Sequence, residues 1–259
     1  MNTSLAVRRV RDRLRGHRWG ARILYLPVCT STMDVLREEA EQGATEGTVV
    51  VAEEQTSGRG RLGRRWLSVP GQSLTFSLLL YPPAAVGAAL GIAASVATLR
   101  AIREVTGLGA AVKWPNDILV GGKKVAGILI EGAWQGGRLR YAIVGIGVNV
   151  NAGPAEDSEV AATATSLAHQ LGRAVSREDL LVALLRAFRE VYDPLVGWFA
   201  VWHEWQAALV GLGQEMRVQY GDQVEEGVAE GVDLEGSLLL RRPDGTLVPV
   251  TAGDITLGA

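Results

Sequence analysis

The chain has 259 residues, enough for one large domain or a large and a small one. Hydrophobic residues make up 47%, which supports a sizeable core and excludes intrinsic disorder, while 26 basic against 28 acidic residues give a net charge of −2 and argue against a protein that coats DNA. A single cysteine, Cys29, allows no internal disulfide, and three dispersed histidines offer no zinc-site spacing, so a reducing, cytoplasmic setting is expected.

The start, MNTSLAVRRVRDRLRG, lacks the apolar core of a secretory signal. Residues 4 to 19 read as a short basic helix with Val7, Val10 and Leu14 on one side, and the seven arginines between Arg8 and Arg22 as its solvated face. Arg22 to Val28 alternates as a strand. Ser31-Thr32-Met33-Asp34 resembles a capping box and opens a helix with Met33, Leu36 and Ala40 as its apolar stripe, ending at Gly43. Thr48 to Ala52 is a β-branched buried strand, Gln55 to Gly71 a long loop, Ser73 to Tyr81 a strand and Val86 to Val105 a small-residue helix. The uncharged stretch from Leu67 to Leu99 is broken by Pro70, Pro82 and Pro83, and its helical part is short of the ~20 residues a membrane span needs.

Strands follow at Ala111 to Trp114, Asp117 to Val120 and Lys124 to Gly132, the last two joined by a Gly121-Gly122 hairpin, then at Leu139 to Val148. Asn149 to Thr165 is a polar loop. Arg177 to Phe199 is a long amphipathic helix with a break expected at Asp193-Pro194, and a further helix runs to about Leu209. From Gly211 the pattern changes to short strands of period two, at Met216 to Tyr220, Val224 to Val232, Leu238 to Leu240 and Leu247 to Val250, with an Asp244-Gly245 turn. That is the signature of a small β-barrel.

Two segments carry chemistry. In Gln55-Thr-Ser-Gly-Arg-Gly-Arg-Leu-Gly-Arg-Arg-Trp66, Gly58, Gly60 and Gly63 let backbone amides turn toward one anion, and Arg59, Arg61, Arg64 and Arg65 supply fixed charge in a region with no acidic residue between Glu54 and Glu104. The glycines match G-x-G-x-x-G, but no helix follows and the ribose-binding acid is missing, so a dinucleotide fold fits badly. In Lys113-Trp-Pro-Asn-Asp117, Asn116 and Asp117 suit a ribose or a hydrated magnesium ion, or a simple turn. Lys124, at the head of an apolar strand, places its ammonium over a pocket near Gly127 or faces solvent as a hairpin lysine.

Together with Ser31-Thr32, Lys124-Val-Ala-Gly-Ile-Leu-Ile-Glu131 and Gly145-Ile-Gly-Val-Asn149, these segments resemble the biotin–protein ligase family, in the family's order and from about residue 22 to the C-terminus. The resemblance implies an α+β fold, a class II synthetase-like mixed sheet backed by helices over residues 22 to 210. It also implies an SH3-like β-barrel over residues 211 to 259, preceded by a short basic helix over residues 1 to 21. With only about 20 residues before the first strand, the chain resembles the monofunctional class that lacks an N-terminal DNA-binding domain.

The activity implied is ATP-dependent biotinylation of a lysine on the biotin carboxyl carrier protein domain of acetyl-CoA carboxylase, through biotinyl-5′-AMP with Mg2+, by a monomer or homodimer without membrane contact. By resemblance, Ser31, Thr32, Met33, Gln55, Gly58, Arg59, Gly60, Arg61, Lys124 and Gly127 bind biotin, and Arg61, Arg64, Trp66, Asn116, Asp117, Lys124 and Asn149 bind ATP. Arg59, Arg61 and Lys124 carry the catalysis, and Asp117 meets magnesium. Met33 stands where the family often has Asn. The rival expectations are a lipoate– or octanoate–protein ligase of the same fold and a nucleic-acid-binding regulator working through the basic N-terminal helix.

Overall fold

The β-branched run after Gly47 forms β2 (Val49–Gln55), which pairs in parallel with β1 (Ile23–Cys29), Ile23 opposite Val49. The computed structural model describes residues 4–83, 89–153, 160–192 and 198–257. From β2 the sheet continues antiparallel through β3 (Ser73–Leu80), β7 (Arg138–Asn149), β6 (Lys123–Gln135), β5 (Asp117–Val120) and β4 (Ala111–Lys113), seven strands in all.

Alternation divides this sheet into two unlike faces. On one, Val49, Val51, Leu74, Phe76, Leu78, Leu80, Val144, Ile146 and Val148 pack with α3 (Ala89–Thr106) and α5 (Arg177–Tyr192) in the main core. Full burial stabilises by about 1.5–3 kcal/mol for each large apolar side chain. On the other face α2 (Thr32–Glu41) covers Val50, Leu79, Tyr141 and Ile143 with Met33, Leu36 and Ala40. Further along the same rows stand Ser77 opposite Gly145, and Thr75 opposite Gly147, which in turn faces Gly127. Small and hydroxylated residues thus replace apolar ones, and the sheet becomes the floor of a cleft.

The main core also encloses an ion pair. Glu53 receives Arg177 at 2.6 Å, the amides of Leu5 and Gly71 at 2.9 Å and the Tyr25 hydroxyl at 2.8 Å. Burial alone pushes the Glu53 carboxyl upward, but these donors outweigh it and hold its pKa below the usual carboxylate range.

The C-terminal unit is an antiparallel sheet of β8 (Glu215–Tyr220), β9 (Gln223–Val232), β10 (Leu238–Arg241), β11 (Leu247–Val250) and β12 (Asp254–Leu257), in the order β11-β10-β9-β8-β12. No ladder among the described residues joins β11 to β12, so the SH3-like sheet keeps two edges and does not close into a continuous barrel. Two indoles fasten it to the large domain. Trp114 Nε1 donates to the Gly236 carbonyl at 2.9 Å, and Trp202 Nε1, from α6 (Trp198–Ala207), donates to Asp233 at 2.8 Å.

Several elements differ from the sequence reading. The basic helix spans only Val7–Arg13 (α1), because Gly16 and Gly20 adopt positive φ. The seven arginines from Arg8 to Arg22 are all exposed, as expected, and five of them also meet partners at the surface: Arg11 donates to the Ile23 carbonyl, and Arg13, Arg15, Arg18 and Arg22 pair with Asp179, Asp12, Glu46 and Glu39. The β6–β7 hairpin is longer than its apolar pattern, because Gly136-Gly137 forms the turn at positive φ. The helix α4 (Leu167–Leu171) was missed, although Ser166 caps it and Gly172 ends it in the left-handed region. Strand β12 was missed too. The expected break at Asp193-Pro194 and the expected helix start at Val86 lie outside the described residues.

Candidate active site

The cleft over the small-residue floor measures about 1280 Å3 and is walled by the glycine–arginine loop, the N-terminus of α2, the β5–β6 hairpin, the 160–164 segment and Asp254 of β12. It brings together every residue expected to bind biotin or ATP except Gly58, which lies behind the wall. A Cβ there would press on the Trp66 carbonyl at 2.5 Å and Gln55 Nε2 at 2.8 Å, so Gly58 is what lets the loop fold back on itself.

At one end, Gln55 Oε1 accepts from the Thr32 amide at 2.7 Å and the Thr32 hydroxyl at 3.0 Å, and that hydroxyl also meets Ser77 Oγ at 2.7 Å. Ser31 caps α2 by accepting from the Met33 amide at 3.3 Å. The result is a buried row of polar groups at a helix start, suited to a neutral ligand head with both donors and acceptors. Met33 fills the space over Gly145, where a Cβ would stand 2.9 Å from its sulfur.

The loop itself is a small hairpin. The Trp66 amide donates to Gly58 at 3.0 Å and the Gly60 amide to Arg64 at 2.7 Å, with Arg59 opposite Arg65. Its tip takes the left-handed region at Leu62, φ 53°, and at Gly63. The arginines without acidic neighbours in sequence find partners in the tertiary structure. Arg59 pairs with Asp34 and Glu131, and Arg64 with Asp254. Arg65 donates to the Thr56 carbonyl at 3.1 Å, while among the described residues Arg61 reaches only the Gly253 carbonyl, at 3.4 Å. Burial pushes the Arg61 guanidinium down from its ordinary value, against the pull of Asp254 and Asp117, which marks a cation short of counter-charge.

Lys124 faces the cleft because of a β-bulge. The register between β5 and β6 shifts at Ile118/Leu119, so that Val125 and Ala126 both enter the core and Lys124 emerges on the same side as Gly127. Its ammonium stands 2.6 Å from Asp117 and 5.9 Å from the Trp66 ring centroid. Trp66 lies flat on the floor, where a Cβ on Gly147 would overlap its ring and one on Gly127 would touch it at 3.4 Å. Trp66 Nε1 and Thr75 Oγ1 are buried on this floor without a hydrogen-bond partner among the described residues.

Asn116 and Asn149 are spent on the backbone. Asn116 Nδ2 donates to Ile128 at 2.8 Å, and Asn149 Nδ2 donates to Thr165 at 3.1 Å. That segment is stitched to Lys124 in turn, by Lys124 N to Thr163 O and Thr165 N to Lys124 O, each at 2.9 Å. Sequence reasoning missed Ser77, Thr75, Asp34, Asp254 and the 160–165 wall. Only Asp34 left a signal, as the supposed fourth residue of a capping box. Its carboxylate instead faces Arg37 and Arg59.

The family model described as "Biotin/lipoate A/B protein ligase family" matches residues 25–149, and that of the "Biotin protein ligase C terminal domain" matches residues 211–258. The "Bifunctional ligase/repressor BirA" of Bacillus subtilis is 36% identical over 254 residues, which cover 96% of this chain and 78% of that protein. The "Biotin--[acetyl-CoA-carboxylase] ligase" of Mycobacterium tuberculosis is 32% identical over 261 residues, covering 96% and 94%. The structure of the Aquifex aeolicus biotin protein ligase with biotin and ATP superposes with a TM-score of 0.77 at 28% identity, covering 92% of this chain and 98% of that one. The chain belongs to the biotin protein ligase family and is an enzyme of that family.

Proposed function

We propose that this chain joins biotin to ATP and then transfers the biotinyl group to a lysine on the biotin carboxyl carrier domain of acetyl-CoA carboxylase. The observation that carries the reading is the convergence, over a glycine-lined floor, of two cations, Arg61 and Lys124, with the neutral polar row of Ser31, Thr32 and Gln55. In the first step a carboxylate oxygen of biotin bonds to the α-phosphorus of ATP and pyrophosphate leaves. In the second the acceptor amine bonds to the acyl carbon, loses a proton and releases AMP.

Both reactants of the first step are anions, so the protein's task is to supply preorganised positive charge rather than a nucleophile. Arg61 and Lys124 are the catalytic groups in this reading, with Arg64 at the outer rim toward the phosphates. Arg59, expected as a third catalytic cation, is engaged by two carboxylates, whereas Lys124 meets one and Arg61 a backbone carbonyl. Trp66 lines the nucleotide side and its uncommitted Nε1 awaits an acceptor. Asn149 and Asn116 hold the surrounding backbone.

Among the described residues no group of three His, Cys, Asp or Glu side chains forms a metal cage, and both carboxylates lining the cleft, Asp117 and Asp254, already face cations. This donor set does not fit a resident metal. Magnesium comes with the nucleotide phosphates in this reading, and Asp117 would be its one protein contact.

The match over residues 211–258 favours biotin over lipoate. No described helix is long and apolar enough to cross a membrane. We assign the catalytic domain to residues 22–210 and the SH3-like domain to residues 211–259, in a cytoplasmic monomer or homodimer. Incubation with biotin, ATP, magnesium and a carrier domain should add one biotinyl mass to the carrier by mass spectrometry. An unmodified carrier, or pyrophosphate exchange driven by lipoate better than biotin, overturns the assignment.

A further inference from the structure

Asp34 and Glu131 lie outside the cleft lining and take no part in the reaction above, yet both converge on one residue of the loop. Arg59 Nη1 donates to both Asp34 oxygens at 2.8 Å, and its Nε and Nη2 donate to Glu131 at 3.2 and 3.3 Å. Arg37 closes the group, donating to Asp34 at 2.8 Å and to Glu131. Two guanidiniums and two carboxylates make a neutral cluster that ties α2, the loop and β6 together across 25 and 72 residues of sequence. Arg59, Asp34 and Glu131 are about one-third exposed and Arg37 is 45% exposed, so water screens the cluster only in part.

A ligand anion reaching Arg59 must displace a carboxylate already seated there. Arg61, with a long contact to one neutral carbonyl, has no such rival among the described residues. The grip on Arg59 passes directly to Trp66, because Arg59 pairs with Arg65 in the loop hairpin and Gly58 accepts from the Trp66 amide.

We propose that Asp34 and Glu131 are positioning residues which, through Arg59, latch the glycine–arginine loop shut, so that the acyl-adenylate is held until the acceptor lysine arrives. The proposal rests on the ligase reading for its ligand, but the latch itself is a property of the free protein.

The test is the charge-neutral pair Asp34→Asn with Glu131→Gln, with Asp34→Asn alone in case the pair folds poorly, and Asp34→Glu as the conservative rescue. In ligand-free protein, trypsin should cut within residues 59–65 roughly tenfold faster in the pair than in wild type. Biotin-dependent ATP–pyrophosphate exchange should keep its kcat within about threefold, while biotin transfer to a bystander protein rises several-fold, and Asp34→Glu should restore retention. Wild-type trypsin kinetics and wild-type retention in the neutral variants overturn the latch. A collapse of exchange kcat with unchanged trypsin kinetics overturns it in favour of a directly catalytic Arg59. Absence of biotin-dependent exchange in wild type refutes the ligase reading instead, and the trypsin comparison still decides the latch.

Discussion

The two faces of the large sheet are built from the same strands and do opposite work. On β3, Leu74, Phe76, Leu78 and Leu80 pack in the core with α3 and α5, while Ser73, Thr75 and Ser77 alternate with them on the opposite face, where Thr75 lines the cleft. On β7, Ile146 and Val148 enter the core and Gly145 and Gly147 floor the site. The closed face buries most of the large apolar side chains, and the other face, beyond the part that α2 covers, keeps the room and the uncommitted polar groups of the cleft. A one-residue shift of register would exchange the two roles, which is why the dense hydrophobic face also fixes the site.

This contrast predicts that the faces fail differently. Leu78→Ala, on the closed face, should cost about 2–5 kcal/mol of stability in denaturant unfolding and leave kcat of the folded enzyme near wild type. Lys124→Ala should leave the melting temperature near wild type and slow adenylate formation by about 10²–10³-fold in pyrophosphate exchange, as loss of one preorganised donor does elsewhere. Gly147→Ala puts a methyl group into the Trp66 ring. It should cost about 1–3 kcal/mol as strain or displaced indole, read as a raised KM for ATP with a smaller change in KM for biotin. Equal shifts in both constants would remove Trp66 from the nucleotide side.

The weakest expected effect is a pH dependence on the closed face. The Glu53 carboxyl has a folded pKa below its ordinary value of 4.5, so its contribution to stability is present above about 4.5 and is lost as pH falls through the lower folded value. The melting temperature of wild type should therefore fall through that acid window more steeply than that of Glu53→Gln. Parallel curves would show that Arg177 does not hold the carboxylate.

The glycine–arginine loop shows where reading along the chain stops. Its composition shows a concentration of positive charge, since four arginines without local counter-charge are visible as such. Which of them stays available is not visible, because Asp34, Glu131 and Asp254 lie 25, 72 and 190 residues away from the arginines they engage. Strand β12 escaped notice for a related reason: four residues of β-character carry little pattern, and pairing with β8 is what makes them a strand.

The sequence by itself determined most of the element order and the period-two tail, because apolar period and turn chemistry act over a few neighbouring residues, while the residues expected to share the cleft came from the family resemblance of its motifs. Only the tertiary structure decided that a bulge turns Lys124 toward Gly127, that Trp66 lies on Gly147 and that Arg59 is neutralised while Arg61 is not. Those outcomes depend on charge and volume brought together by strand register, and register is set by the whole sheet rather than by any segment of it.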